Sequence, residues 1–190
     1  MSKPTPTLSE EHRQILLKVA RDSIAHGLKH HRPLPADPAS HPKELQVPRA
    51  TFVTLERRGQ LRGCIGSLKA SLPLVHDVAE NAFSAAFRDP RFDPMTEEEL
   101  KELDIHISVL SPPEQMSFSS EADFLKQLRP GVDGIILQEG WNRGTFLPSV
   151  WEELPNPADF LKHLKLKAGL PMNYWSDSLQ AWRYTTEYFP

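Results

Sequence analysis

Proline, more than any other residue type, limits how this chain can fold. The 190 residues contain 18 prolines but only 9 glycines, which inverts the usual ratio of about 5% proline to about 7% glycine. Each proline fixes φ and removes a backbone donor. Five of them fall between positions 33 and 48, so we expect residues 30–48 to form a Pro-rich extended loop that cannot be an interior strand.

On either side of this loop, helical and strand patterns occur in an order typical of an α+β protein. Apolar residues at helical spacing predict a helix over about residues 8–29, begun by a Thr7–Glu10 capping box. Strands are predicted at 50–56, 61–68 and 103–110, and a single last strand in AWRYTTEYF. Because strands follow one another as hairpins, we expect a mainly antiparallel β-sheet flanked by helices.

Charge and cysteine content exclude several classes of function. The chain has 22 Lys plus Arg against 25 Asp plus Glu and a formal charge of −3, so it lacks an overall basic field and nucleic-acid binding is not expected. The single cysteine, Cys64, excludes an intramolecular disulfide and a Cys-rich metal cluster. Nucleotide-binding motifs are absent, and no cofactor is predicted. With neither a signal peptide nor an apolar stretch of membrane-spanning length, the expected compartment is the cytoplasm.

Cys64 lies in the segment RGCIGS, which has the strongest chemical character in the sequence. The thiolate is the reactive form of cysteine, and the neighbouring Arg62 would favour it. Gly63 and Gly66 lack a Cβ and would let a substrate approach the main chain. In the alternative interpretation, Cys64 is a small buried side chain and the glycines only permit tight packing.

Several long segments together resemble the AMMECR domain family. LRGCIGSL is followed by SAAFRDPRFDPMTEEELKELDIHISVLSPPE and later by GVDGIILQEGWNRGTFLPSVWEELPNPADFLKHLKLKAGLP. The resemblance covers about residues 8–189, and the segments LPSVWEELPNP and HLKLKAGLP are most similar to protein A of the bacterial AmmeMemoRadiSam system.

The resemblance implies more about the fold than about the chemistry. It implies one domain over residues 1–190 with two sub-lobes, the larger of which holds an antiparallel sheet. A Memo-like protein and a radical-SAM enzyme are the implied partners, whereas no reaction is implied. Many relatives have a second cysteine where this chain has Lys165, so a two-thiol mechanism is closed to it. We expect Lys162, Lys165 and Lys167 to lie on a solvated face.

A second family motif, FRDPRFDP, places charged residues in a rigid loop. Asp89 and Arg91 flank Pro90, an arrangement that suits holding a guanidinium for an anion; alternatively, the two charges pair and only shape the loop. Cys64 is the candidate nucleophile or thiol donor. The predicted substrate-binding residues are Arg62, Gly63, Gly66, Arg88, Asp89 and Arg91.

The histidines leave the choice of a catalytic base open. His76, His106 and His163 are candidates by position, although each can simply be exposed. His26 and His30 are spaced four apart on one helical face, as a metal pair requires, but no third ligand lies nearby. Cationic residues at a helix C-terminus are the ordinary explanation for that pair, so no metal site is predicted.

Two functions follow as hypotheses. In the first, the protein is an enzyme or an enzyme subunit that uses a Cys64/Arg62 cleft on a small anionic substrate. In the second, it is a non-catalytic binding or scaffold module for the Memo-like and radical-SAM partners. The reactivity of Cys64 would favour the first hypothesis, and association with the partners without it would favour the second.

Overall fold

The computed structural model describes residues 7–190 and contains five α-helices and eight β-strands in that range. The helices are α1 (Glu10–His30), α2 (Leu74–Phe87), α3 (Glu97–Lys101), α4 (Glu121–Gln127) and α5 (Pro157–Lys167). The strands are β1 (Thr51–Arg57), β2 (Gln60–Gly66), β3 (Leu103–Leu110), β4 (Glu114–Gln115), β5 (Gly134–Glu139), β6 (Asn142–Phe146), β7 (Gln180–Tyr184) and β8 (Thr186–Phe189).

The strands form two four-stranded sheets, with orders β2-β1-β3-β8 and β4-β7-β5-β6. β1 pairs antiparallel with β2 and β3, and β5 pairs antiparallel with β6 and β7. The predicted α+β fold with antiparallel strands is therefore confirmed. The chain divides into two compact units. The first consists of the residues up to Pro112 together with Glu187–Pro190, and the second consists of Pro113–Thr186.

Alternation along the strands sets the core of the first unit. Val53 and Leu55 of β1 and Ile107 of β3 are fully buried in a cluster that also includes apolar residues of α1 and α2. β2 approaches α2 closely, because a Cβ added at Gly63 would lie 2.1 Å from the carbonyl oxygen of Ala85. The residues between the buried ones, among them Thr54, face the other side of the sheet and are only half-buried.

The second unit has its own apolar core between its sheet and α5. Ile135 and Leu137 of β5 are fully buried, as is Phe160 of α5. The rings of Trp151 and Phe160 stack with centroids 3.8 Å apart. The indole N–H of Trp151 donates to the carbonyl of Asp133 at 2.8 Å, which satisfies the one polar group of this buried side chain.

Two predicted boundaries are wrong. α1 is capped by Ser9, whose hydroxyl accepts the N–H of His12, and not by Thr7; the helix starts later than predicted because Ser9, in extended conformation, supplies the cap. The segment AWRYTTEYF forms two strands, β7 in one sheet and β8 in the other. Aromatic residues and threonines, which favour strands, continue through the whole segment, so the sequence alone does not indicate where the pairing partner changes.

The Pro-rich segment contains neither α-helix nor a strand. Two short 3-10 turns, Pro38–Ser40 and Lys43–Leu45, interrupt it, and the side chains of Ala36 and Leu45 are buried in the core of the first unit. Within the described residues, no helix combines the length and the apolar character needed to cross a membrane.

Candidate functional site

Cys64 lies on β2, an edge strand of the first sheet, opposite Thr54 of β1. Its Sγ is 3.3 Å from Oγ1 of Thr54, and the residue is half-buried. The outer side of an edge strand normally has unpaired N–H and C=O groups. Here the N–H of Cys64 donates to Oδ2 of Asp89 at 3.0 Å, and its carbonyl accepts Nη2 of Arg91 at 3.5 Å. Side chains of the loop after α2 thus replace the neighbouring strand at Cys64.

Asp89 is the centre of this arrangement. Its carboxylate is 2% exposed and accepts, besides the N–H of Cys64, the N–H, Nε and Nη2 of Arg91 at 3.1, 3.0 and 2.7 Å. The guanidinium hydrogen bonds, supported by the two backbone N–H groups, hold the pKa of Asp89 well below its ordinary value although burial opposes them. Asp89 therefore stays anionic and fixes the loop to β2.

Arg91 presents a cation next to Cys64. Hydrogen bonding to Asp89 raises the pKa of Arg91, burial opposes this, and the negative charge of Asp89 adds to the rise. The side chain is 54% exposed. Its Nη1 donates to no residue in the described part of the chain. Arg91 thus has a fixed orientation and one nitrogen open to a ligand.

Arg62, by contrast, is buried, and two of its three guanidinium nitrogens are paired, whereas its Nη1 is shielded from solvent without a partner in the described residues. Its Nε and Nη2 donate to the carboxylate of Glu99, and Nη2 also donates to the carbonyl of Asp93 at 2.6 Å. The register between β1 and β2 shifts at this point, so that Arg62 is the extra residue of a β-bulge. Its guanidinium lies 5.6 Å from the ring centre of Phe92. The geometry makes Arg62 a support for α3 and the loop; its contact with substrate stays a prediction.

The two glycines of the motif have packing roles in the structure. Gly63 permits the close approach to α2 described above, and a Cβ at Gly66 would lie 2.4 Å from the ring of Phe52 and from the carbonyl oxygen of Thr51. Substrate contact at either glycine stays a prediction. Arg88 ends α2, and its guanidinium lies 4.9 Å from the ring centre of Phe83.

His106 is the one histidine that the strand register places on the same face as Cys64. It pairs with Thr54 across β1 and β3, and two strand spacings of about 4.8 Å put it about 10 Å from Cys64. Its Nε2 is 3.4 Å from a carboxylate oxygen of Glu56, and its ring stacks on Tyr188. Among the described residues, the thiol has a hydroxyl as its hydrogen-bond partner and not an imidazole.

A profile of the AMMECR1 family matches residues 17–189. The chain belongs to the AMMECR1 family. A family relative from Methanothermobacter thermautotrophicus is 40% identical over 184 residues, which cover 96% of this chain and 95% of that protein. Another, from Thermotoga maritima, is 40% identical over 151 residues, or 78% of this chain and 82% of that one. The crystal structure of an uncharacterised protein from Pyrococcus horikoshii is similar with a TM-score of 0.85 and 33% identity, and the match covers 95% of this chain and 92% of that one.

Within this AMMECR1-family chain, two positions differ in role from what the sequence indicated. Lys165 is not on a solvated face: it is 1% exposed, and its Nζ donates to Glu121 at 3.1 Å and to the carbonyl of Met172 at 3.3 Å. Sequence reasoning missed Thr54 and Glu99, the direct partners of Cys64 and Arg62. Strand register, which brings Thr54 to Cys64, has no local signal in the sequence.

No group of three or more His, Cys, Asp or Glu side chains in residues 7–190 is arranged to hold a metal ion. What the site offers chemically is a half-buried thiol on a fixed strand, with a partly exposed guanidinium beside it. Such a pair can bind a small anion and hold it next to the sulfur atom.

Proposed function

We propose that this protein is an accessory or catalytic component that acts with a Memo-like protein and a radical-SAM enzyme, and that it holds a small anionic substrate at Cys64. The partners are proposed from the family resemblance. The site is proposed from one observation, the guanidinium of Arg91 that Asp89 orients beside Cys64 with Nη1 left open.

The residues have different roles in this proposal. Arg91 binds the anionic group, because its side chain is 54% exposed and its Nη1 is open beside the thiol, whereas the unpaired Nη1 of Arg62 is shielded from solvent. Cys64 supplies the nucleophile or thiol donor. Asp89 is a positioning residue, since it fixes both the amide of Cys64 and the side chain of Arg91. Arg62 supports the loop from the other side through Glu99 and Asp93.

The test compares two alkylating reagents that differ in charge. Iodoacetate is an anion and iodoacetamide is neutral, so the ratio of their rates at Cys64 measures the positive field at the sulfur. We expect this ratio to be roughly three- to tenfold higher in the folded protein than in the same chain unfolded in urea, because the guanidinium acts at short range. Arg91→Gln should bring the ratio close to the unfolded value.

Arg58→Gln is the matched control, because Arg58 lies in the turn between β1 and β2, is 73% exposed and pairs with Glu102. This variant should keep the ratio of the unchanged protein. Equal ratios in the folded and unfolded chain, or equal losses in the two variants, would remove the anion site from the proposal. Circular dichroism of both variants checks that the fold is retained.

A non-catalytic role as a binding module is the second candidate. This role is favoured by the hydrogen-bond partner of the thiol, which is the hydroxyl of Thr54. A hydroxyl is a poor base and would not activate a nucleophile. In that case Cys64→Ala should co-purify with the Memo-like and radical-SAM proteins as well as the unchanged chain does and retain its cellular role. Loss of cellular activity in Cys64→Ala with retained association would favour the catalytic role. If the unchanged chain does not associate with the Memo-like and radical-SAM proteins at micromolar concentration, the result would count against both of them as partners.

A further inference from the structure

Two histidines at the end of α1 lie in a geometry that the function above does not use. His26 and His30 are one turn apart, and their ring centres are 4.4 Å apart with planes tilted by 39°. His30 is in the last turn of the helix. Neither residue contacts the Cys64 site, so this pair needs its own explanation.

The ring separation matches that of two imidazoles bound to one metal ion. With metal–nitrogen bonds of about 2.1 Å, rings on adjacent corners of an octahedron or a square have centres about 4.5 Å apart, and rings in a tetrahedral site about 5.2 Å. The observed 4.4 Å fits the first case. Octahedral and square-planar geometries with nitrogen and oxygen ligands are typical of Ni²⁺ and Cu²⁺.

The electrostatic surroundings leave the pair able to act as ligands. Nε2 of His26 is shielded from solvent and has no hydrogen-bond partner in the described residues. Arg32 and Lys29 oppose a cation here, whereas the carbonyl end of the 21-residue helix favours one.

We propose that His26 and His30 form a two-imidazole site for a divalent transition-metal ion of the Ni²⁺ and Cu²⁺ type, with water completing the coordination. The 4.4 Å spacing of the ring centres is already close to that of a bound pair. It is separate from the proposed chemistry at Cys64, and either can fail without the other.

The experiment is a calorimetric titration of the full chain with Ni²⁺ in a buffer that does not bind metals. We expect one Ni²⁺ per chain. His26→Gln and His30→Gln should each bind at least about tenfold more weakly, because the second imidazole binds as an intramolecular ligand in the unchanged protein. His163→Gln is the control, since His163 is an exposed helical histidine on α5. It should bind like the unchanged chain.

A second measurement requires no substitution. Ni²⁺ is paramagnetic, so less than one equivalent should broaden the NMR signals of the His26 and His30 rings before those of the other histidines. The proposal is overturned if another histidine broadens first, if either glutamine variant binds as tightly as the unchanged chain, or if an absorption band of a nickel–thiolate bond shows that Cys64 is the ligand.

Discussion

Each of the two units contains one buried aspartate that is held by arginine, yet the two serve different purposes. In the first unit, the side chain of Asp89 is 2% exposed and binds Arg91 through two nitrogens. In the second unit, Asp133 is fully buried and binds Arg129 in the same manner, at 3.0 and 2.7 Å. Each carboxylate also accepts a backbone N–H.

The difference is in which backbone N–H group is bound. Asp133 accepts the N–H of Arg129, four residues earlier, and so closes the turn before β5; Arg183 of β7 adds a contact at 3.3 Å. Asp89 accepts the N–H of Cys64, 25 residues away on another element. The same chemistry therefore stabilises a local turn in one region and positions a candidate reactive residue in the other.

The largest effect is expected for Asp133→Asn. The substitution removes the charge of a fully buried carboxylate that contacts two guanidinium groups. We therefore expect the free energy of unfolding of the second unit to fall by about 3–4 kcal/mol. Urea denaturation measures it. Hydrogen exchange should show faster exchange in residues 129–139 and no change at the amide of Cys64. An equally large change in exchange at the amide of Cys64 would contradict the conclusion that Asp133 acts only on its own turn.

Asp89→Asn is expected to cost less, about 2–3 kcal/mol, because Arg91 is half-exposed and can be solvated when its partner is lost. Its effect should be long-range: the amide of Cys64 exchanges faster, as measured by NMR. Since the pKa of Asp89 is below its ordinary value, the stability it adds is complete above about pH 4–5 and is lost as the pH falls toward the folded-state pKa. The difference between the unchanged chain and the variant should shrink on acidification, and a constant difference would contradict the ion pair.

Asp77→Asn should have the smallest effect, since Asp77 is a third buried aspartate without a cationic partner. Its carboxylate accepts hydrogen bonds from the hydroxyl of Thr51 at 2.7 Å and from the amide of Asn81 at 3.1 Å. Burial raises the pKa of Asp77, against the hydrogen bonds from Thr51. We expect a change within about 1 kcal/mol at neutral pH.

The sign of its pH dependence is opposite to that of Asp89. With a raised folded-state pKa, the folded chain binds more protons than the unfolded chain above the ordinary value of 3.8. The unchanged protein therefore loses stability relative to Asp77→Asn as the pH rises from 3.8 through the folded-state pKa, and the difference is constant at higher pH. Urea titrations at several pH values measure this; a loss of stability of the unchanged protein relative to Asp77→Asn on acidification would show that Asp77 is stabilised as an anion.

The sequence by itself determined the family, the α+β class and the position of most elements. Periodicity was sufficient for α1 and β3, because a helix or strand with one buried face repeats its apolar residues at a fixed spacing, and the β-branched residues of 50–56 were sufficient for β1. The RGCIGS and FRDPRFDP segments were sufficient to identify Cys64, Asp89 and Arg91 as candidates, because both segments match motifs of the family that the sequence resembles.

Only the tertiary structure decided how these residues act on one another. It alone placed Thr54 beside the sulfur, paired Arg62 with Glu99, buried Lys165 and divided the last predicted strand between two sheets. The physical reason is shared by all four. Strand register and long-range ion pairs join residues far apart in the chain, and the pattern of neighbouring residues contains no record of which distant partner satisfies a polar group.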